Sequence, residues 1–260
     1  MLEKGWVPEA PNSSLYIRPT MIGTEPTLGL GPANQATLFV ILSPVGAYFG
    51  SEIKPVTLLC DDRYVRATPG GCGYTKMGSN YAPTLWVQKR AEREGCEQVL
   101  WVFGEDQEVT EVGAMNLFVL MKSARTGEVE LVTPPLTSGT VLPGVTRQSV
   151  LELARDITGL QVEERKLTLP ELLAASREGR LLEMFGCGTA AIISPVGGLK
   201  YGGDLISVPT PALGLASQML TQLQDIYYGR HQHSWAVDIE LNTSQDMALV
   251  QQEQKCVSIL

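Results

Sequence analysis

The chain is 260 residues long, 44% hydrophobic and 18% charged, with 26 glycines and 16 prolines. That length suits one large domain or one and a fraction, and the composition excludes collagen-like, low-complexity and wholly disordered chains. Against 28 Asp+Glu stand only 20 Lys+Arg, a formal charge of −8, with no basic stripe of the kind nucleic acid requires and no apolar run of the ~20 residues that a membrane-spanning helix needs. Neither nucleic acid nor membrane is an expected partner.

Five cysteines, Cys60, Cys72, Cys96, Cys187 and Cys256, are odd in number and form no C-x-x-C pair, so neither a disulfide framework nor a zinc site is expected. With only His231 and His233, no metal centre is expected either. The opening MLEKGWVPEAPNSS carries no apolar h-region and no Arg-rich amphipathic pattern, and the closing VSIL sets Cys256 one place too early for prenylation. The chain reads as soluble and cytoplasmic, with reduced thiols.

Within the Pro- and Gly-rich residues 1–35, only 14–19 are strand-like. Residues 36–42 predict a buried strand, and 43–51 have linker chemistry. A strand at 55–60, a Gly-rich segment at 69–79, a helix over 82–95 stopped by Gly95, and a strand at 99–103 follow. The apolar runs 115–121 and 129–133, separated by 122–127, predict a hairpin. Thr146 reads as the N-cap of a helix whose apolar stripe is Val150, Leu151, Leu153, Ala154 and Ile157, stopped by Gly159. After it come a strand at 162–167, a short helix at 169–178, and strands at 183–185 and 190–194 flanking a Gly186-Cys187-Gly188-Thr189 turn. A Gly202-Gly203 turn, a last helix over 210–227 and a polar tail from 240 complete the chain. The Trp residues, Met77, Met115 and Met121 are expected in the core. This mixture predicts an α/β or α+β fold with a mixed sheet. Residues 1–50 hold strand material without enough helix or core to fold alone, as the trailing edge of a domain would.

Lys76 lies in GGCGYTKMGSNY, where flanking glycines leave the backbone unobstructed enough for a flat cofactor to approach, and a lysine amine can form a Schiff base with an aldehyde. The same segment also suits a solvated lysine in a flexible loop. Glu111 precedes the apolar 117–120 run, where a carboxylate could pair with a protonated ring nitrogen or cap a strand in solvent. The turn Leu142-Pro143-Gly144-Val145-Thr146 runs into a helix whose N–H groups and dipole favour an anion, and Gly186-Cys187-Gly188-Thr189-Ala190 offers backbone donors and a hydroxyl. Each is also a plain turn. Tyr16 and Arg18 project from one strand face, a pair suited to a carboxylate or to an edge-strand surface.

At these residues the sequence resembles the branched-chain amino acid aminotransferases of pyridoxal phosphate fold type IV. SLYIRPTMIGTEPTLGL, LFVILSPVGAYF, YTKMGSNYAPTL, GCEQVLW, TEVGAMNLF, LVTPP, LPGVTRQS and EMFGCGTA stand in family order, over roughly residues 5–238. The resemblance implies that Lys76 is the catalytic lysine bonded to pyridoxal 5′-phosphate. It also implies that Tyr81 bonds the cofactor's phenolic oxygen, that Glu111 meets the pyridine nitrogen, and that Val145, Thr146 and Thr189 hold the phosphate. Ala190 becomes a donor to the substrate carboxylate, with Tyr16 and Arg18 lining the substrate side. The implied reaction is ping-pong transamination between leucine, isoleucine or valine and 2-oxoglutarate, giving glutamate, by a homodimer with a cytoplasmic or mitochondrial form.

The resemblance also implies that residues 1–44 are the last strands of a small domain, 45–56 an interdomain link, 57–239 the large cofactor-binding domain and 240–260 a tail. On that reading, an arginine for the phosphate belongs to small-domain sequence that this chain does not carry. The competing expectation is a non-catalytic isoform acting as dimer partner or interaction protein. Four positions depart from the family: Ala114 stands for threonine, Cys187 for serine, and Ala191 and Ser194 for a redox-sensing Cys-x-x-Cys.

Overall fold

The computed structural model describes residues 6–8, 10, 13–46 and 54–237. The predicted linker lies largely outside them, and the polar tail wholly so. Contacts group the chain into two units, residues 1–220 and 221–260.

The first unit opens with an antiparallel hairpin, β1 (Ser14–Gly23) and β2 (Ala36–Val45), which forms a two-stranded sheet of its own. Its loop is closed by Glu25, whose carboxylate accepts from the backbone and side-chain amides of Asn34, which lower its pKa. The expected buried strand at 36–42 is a strand but is not buried. Leu38, Val40 and Ile41 of β2 and Ile17 and Met21 of β1 are exposed. A lone pair of strands has two faces and no second layer to cover either.

The remaining strands form one mixed sheet: β3 (Val56–Cys60), β4 (Gln98–Phe103), β5 (Glu108–Val112), β6 (Met115–Lys122), β7 (Val129–Thr133), β8 (Gln161–Glu164), β9 (Leu181–Gly188), β10 (Ile192–Tyr201) and β11 (Asp204–Ser207). Strand β10 pairs in parallel with β3 and antiparallel with β9, and β9 also pairs with β6. The strands β10-β3-β4-β5-β6-β9 therefore close into a ring. Period-2 alternation sorts their side chains. Leu58, Cys60, Leu100 and Val102 join one core with Val112, Met115, Leu117 and Val119, while Leu59, Val99 and Trp101 face the opposite way.

Helix α1 (Thr84–Arg93) covers that opposite side with Val87 and Ala91. It makes β3-α1-β4 a parallel crossover, the connection expected between two parallel strands. Helix α2 (Val145–Arg155) begins one residue before Thr146. Its N-cap is Gly144, so the expected cap residue sits inside the first turn. Helix α3 (Leu169–Arg177) is capped by Thr168, which accepts from the Glu171 amide, and adds Leu169, Leu172 and Ala175 to the core. Helix α4 (Leu215–Tyr227) starts five residues later than the sequence suggested, because Pro211 and Gly214 precede it. Its first N–H groups, on Leu215 and Ala216, donate to the buried carboxylate of Glu183.

Two further expectations fail. Gly186-Cys187-Gly188 is the end of β9 rather than a turn; the reversal comes at residues 189–191, with Ile192 at φ 57°. Trp101, Met115 and Met121 are core residues, but Trp6, Trp86, Trp235 and Met77 are exposed. In the second unit Arg230 pairs with Asp225. Among the described residues no helix is long and apolar enough to cross a membrane.

Candidate active site

Strand register builds the floor of the site. Glu111 on β5 lies opposite Trp101 on β4 and Asn116 on β6, and Asn116 lies opposite Cys187 on β9. Directly paired residues project from the same face, so Trp101, Glu111, Asn116 and Cys187 form one row on the face away from the barrel core. Glu111 is thus inside a strand, buried, and not a solvated cap.

Both oxygens of Glu111 are engaged. Oε1 accepts from the Leu142 backbone N–H at 2.7 Å and from Nδ2 of Asn116 at 3.3 Å. Oε2 is 2.8 Å from Nε of Arg66, an ion pair whose side chains are 4% and 1% exposed. Burial pushes the Glu111 carboxyl up to about 7, against the pull of Arg66, the Leu142 amide, Lys76 and Arg147. Three cationic side chains therefore act on a single carboxylate.

Lys76 is exposed in an irregular segment held from behind. The buried side-chain amide of Asn80 donates to the carbonyls of Cys72 (2.7 Å) and Thr75 (3.0 Å), on either side of the turn leading to Lys76. A 3-10 turn at Gly78–Asn80 then delivers Tyr81, whose ring lies 5.3 Å from Nζ of Lys76. The segment packs against residues 139–140 through Gly73, where any Cβ would meet the Gly139 carbonyl oxygen and the Thr140 Cα. Arg66 spans the same seam, donating to the carbonyls of Gly73 (2.8 Å) and Thr140 (2.5 Å).

The third element is the start of α2. Asn116 donates to the Leu142 carbonyl at 2.8 Å, and its Oδ1 lies where a Cβ on Gly144 would be, so glycine is what lets the turn close over Asn116. Gly144 provides no side-chain cap, leaving the first-turn N–H groups of Val145 and Thr146 to an external acceptor. Arg147 is buried, donating to the Pro134 carbonyl and to Glu164, and its Nε has no hydrogen-bond partner among the described residues.

These features test whether pyridoxal phosphate fits, and it does. Uncapped helix N–H groups with a buried arginine suit a phosphate. A buried carboxylate paired with Arg66 suits a protonated ring nitrogen, and a lysine beside a tyrosine suits the aldehyde and the phenolic oxygen. Lys76, Tyr81, Glu111, Val145 and Thr146 converge through these contacts. Thr189 and Ala190 are exposed in the turn that follows Cys187. Tyr16 and Arg18 meet each other, at 2.9 Å, on the separate hairpin. No hydrogen bond or ion pair joins either of them to Lys76 or Glu111 among the described residues.

Sequence reading missed Arg66, Asn80, Asn116 and Arg147. Only spacing could have hinted at the first two, ten residues before and four after Lys76; Asn116 and Arg147 come into view only through strand register and helix start. The cysteines Cys60, Cys72, Cys96 and Cys187 are free. Burial pushes the thiols of Cys60 (up to about 12), Cys96 and Cys187 up, which makes all three poor nucleophiles.

Comparison with known proteins gives the family. Residues 4–198 match the amino-transferase class IV family. The branched-chain-amino-acid aminotransferase of Monosiga brevicollis is 51% identical over 238 residues, covering 90% of this chain and 60% of that protein. The cytosolic one of Caenorhabditis elegans is 48% identical over 247 residues, covering 92% and 59%. The chain thus spans about three fifths of the length of these relatives. Among solved structures, the branched-chain amino acid aminotransferase of Thermobaculum terrenum in its PLP-bound holo form superimposes with a TM-score of 0.64 at 25% identity, covering 84% of this chain and 65% of that one. With residues 4–198 matched to the family, the chain belongs to the class IV amino-transferases.

Proposed function

We propose that the chain carries the chemistry of a branched-chain amino acid aminotransferase, with Lys76 as its catalytic residue and leucine, isoleucine or valine and 2-oxoglutarate as its substrates. One observation carries the reading. Glu111, pinned between Arg66 and the Leu142 amide, ties the Lys76 segment to the uncapped start of α2 at a carboxylate on which three cationic side chains act. The likeness to enzymes named for this reaction supports it.

Pyridoxal phosphate, when bound, supplies the electron sink that lets an amino acid Cα–H leave as a proton. The chain's residues do the rest. The Lys76 amine would hold the cofactor and act as general base toward the substrate Cα proton and as the general acid that gives it back. The Tyr81 hydroxyl would bond the cofactor's phenolic oxygen, Glu111 would accept from its ring nitrogen, and the Val145 and Thr146 N–H groups, with Thr189, would hold its phosphate. On the substrate side stand Ala190, Tyr16 and Arg18. A pocket that selects by apolar contact separates side chains differing by one methylene by only ~1–3 kcal/mol, so the three branched substrates compete closely.

Within this reading the hairpin belongs to a small domain ending at residue 44, with 45–56 as link, 57–239 as the cofactor-binding body and 240–260 as tail. The working assembly is a cytosolic homodimer. Limited proteolysis between 45 and 56 that releases a stable 57–239 body would support the division, and light scattering of the purified chain reads the dimer.

The chain mixed with pyridoxal 5′-phosphate should gain a visible absorption band that borohydride traps on Lys76, identifiable by peptide mass, and that Lys76→Ala abolishes. Leucine should bleach the band and 2-oxoglutarate restore it, with glutamate formed. A trapped cofactor that leucine leaves untouched reduces the chain to a binding protein. No adduct on Lys76 overturns the proposal.

A further inference from the structure

Arg66 is the least accounted-for charge in the molecule. It is 6% exposed overall, comes from the segment after β3, and touches three otherwise separate pieces of chain: Glu111 on β5, Gly73 in the Lys76 segment and Thr140 ahead of α2. Its Nε lies 2.8 Å from Oε2 of Glu111 without its N–H being aimed there, and its Nη1 has no hydrogen-bond partner among the described residues. A guanidinium held this way acts on Glu111 mainly through charge, while Nη2 spends its N–H groups on the two backbone carbonyls.

A carboxyl in so dry a place is neutral unless a fixed cation opposes the cost of burial. The charged and titratable groups acting on Glu111 are Arg66, Lys76 and Arg147, with Cys187 beyond Asn116 in the strand row. Arg66 is foremost among those holding its carboxyl down. Lys76 is exposed and becomes the reacting amine, and Arg147 is already paired with Glu164. That leaves Arg66 as the one permanent cation dedicated to Glu111.

We propose that Arg66 is a positioning residue which keeps Glu111 an anionic acceptor and, through its two carbonyl bonds, pins the Lys76 segment to the chain ahead of α2. This rests on the reading of Glu111 as the partner of the cofactor's ring nitrogen. Its consequence there is definite: with Arg66 present, Glu111 accepts a hydrogen bond from a protonated ring. Without it, the neutral acid donates to an unprotonated ring, and the electron sink is weakened.

The test begins without cofactor. The Glu111 carboxyl carbon, labelled with carbon-13 and assigned by its loss in Glu111→Gln, is titrated by NMR in the full chain, in Arg66→Met and in Arg66→Lys. Near-UV circular dichroism checks folding of each. The midpoint should rise by about one unit or more in Arg66→Met. In Arg66→Lys, where the charge survives but one ammonium cannot serve three acceptors, it should rise by less than about half of that. Hydrogen exchange across residues 72–80 should nevertheless quicken as the two carbonyl bonds go. If Arg66→Met fails to fold, Arg66→Lys decides alone: unchanged exchange at 72–80 overturns the pinning role. In folded Arg66→Met, an unmoved Glu111 midpoint overturns the charge role.

Neither result depends on cofactor. Borohydride trapping on Lys76 in the unmodified chain tests the cofactor reading separately, and its failure would leave the Arg66–Glu111 coupling standing. Where cofactor is trapped, the pH midpoint of the bound cofactor's absorbance should also move in Arg66→Met.

Discussion

The seam between the Lys76 segment and the chain ahead of α2 can be opened by one methyl group. A Cβ on Gly73 would lie 2.6 Å from the Cβ of Ala67, 2.8 Å from the carbonyl oxygen of Gly139 and 2.9 Å from the Cα of Thr140, all tighter than real Cβ contacts. Gly73 does not occupy the left-handed region, so the cost of Gly73→Ala is steric. Two of its three neighbours are backbone and cannot rotate aside, and residues 73 and 139–140 have to part by several tenths of an ångström. Overpacking of this kind costs about 1–3 kcal/mol, which for a chain of this size lowers Tm by about 2–12 °C. The same separation stretches the Arg66 bridge between the Gly73 and Thr140 carbonyls and loosens the Leu142 amide from Glu111. Calorimetry and borohydride trapping with pyridoxal phosphate read the two effects. Adding Ala67→Gly removes one of the three clashes and should restore only part of the lost Tm. A Gly73→Ala protein with unchanged Tm and unchanged trapping would refute the close packing of the seam.

Glu183→Ala leaves the Leu215 and Ala216 N–H groups at the start of α4 without their acceptor, and urea unfolding should show a loss of about 1–3 kcal/mol, partly recovered in Glu183→Gln. Ser194 is fully buried on β10 with a hydroxyl that finds no partner among the described residues; Ser194→Ala should be neutral or stabilising by up to ~1–2 kcal/mol in the same assay, and a clear destabilisation would reveal an unrecognised bond. Because folding raises the Glu111 carboxyl from the ordinary 4.5 to about 7, the folded chain keeps a proton that the unfolded chain has released. Cofactor-free stability should therefore fall as pH climbs through that window and level off above it. The fall is about 3 kcal/mol for this group, isolated by subtracting the profile of Glu111→Gln. Exposed Leu38, Val40 and Ile41 should bring copies together at high concentration. Leu38→Thr with Ile41→Thr should lower the apparent mass in light scattering while leaving Tm unchanged.

Elements with strong local signals were readable from the sequence. The apolar run of β6, the hairpin to β7 and the Gly-stopped helix α1 all stand within a few residues of expectation, because period and turn chemistry are local. Errors fall where tertiary context decides. The 36–42 run is as apolar as any core strand, yet burial belongs to the layer that covers a strand, and the hairpin has none. Gly186-Cys187-Gly188 has turn composition, but pairing with β6 on one side and β10 on the other keeps it extended. Thr146 is a good cap residue two positions too late, since Gly144 is what clears Asn116.

The same contrast separates the residues of the site. Lys76 and Tyr81 lie five residues apart and could be read together; Glu111, Asn116 and Cys187 become neighbours only when three strands take their register. That register explains why a buried acid is tolerable at all. Placed one residue later on β5, at position 112, the carboxylate would face the apolar core at the full cost of its desolvation. On this face it meets Arg66, the Leu142 amide and Asn116 at once, and the cost of burying it is what leaves its proton near neutrality. A group balanced there responds to a single added or removed charge, and Arg66 supplies one.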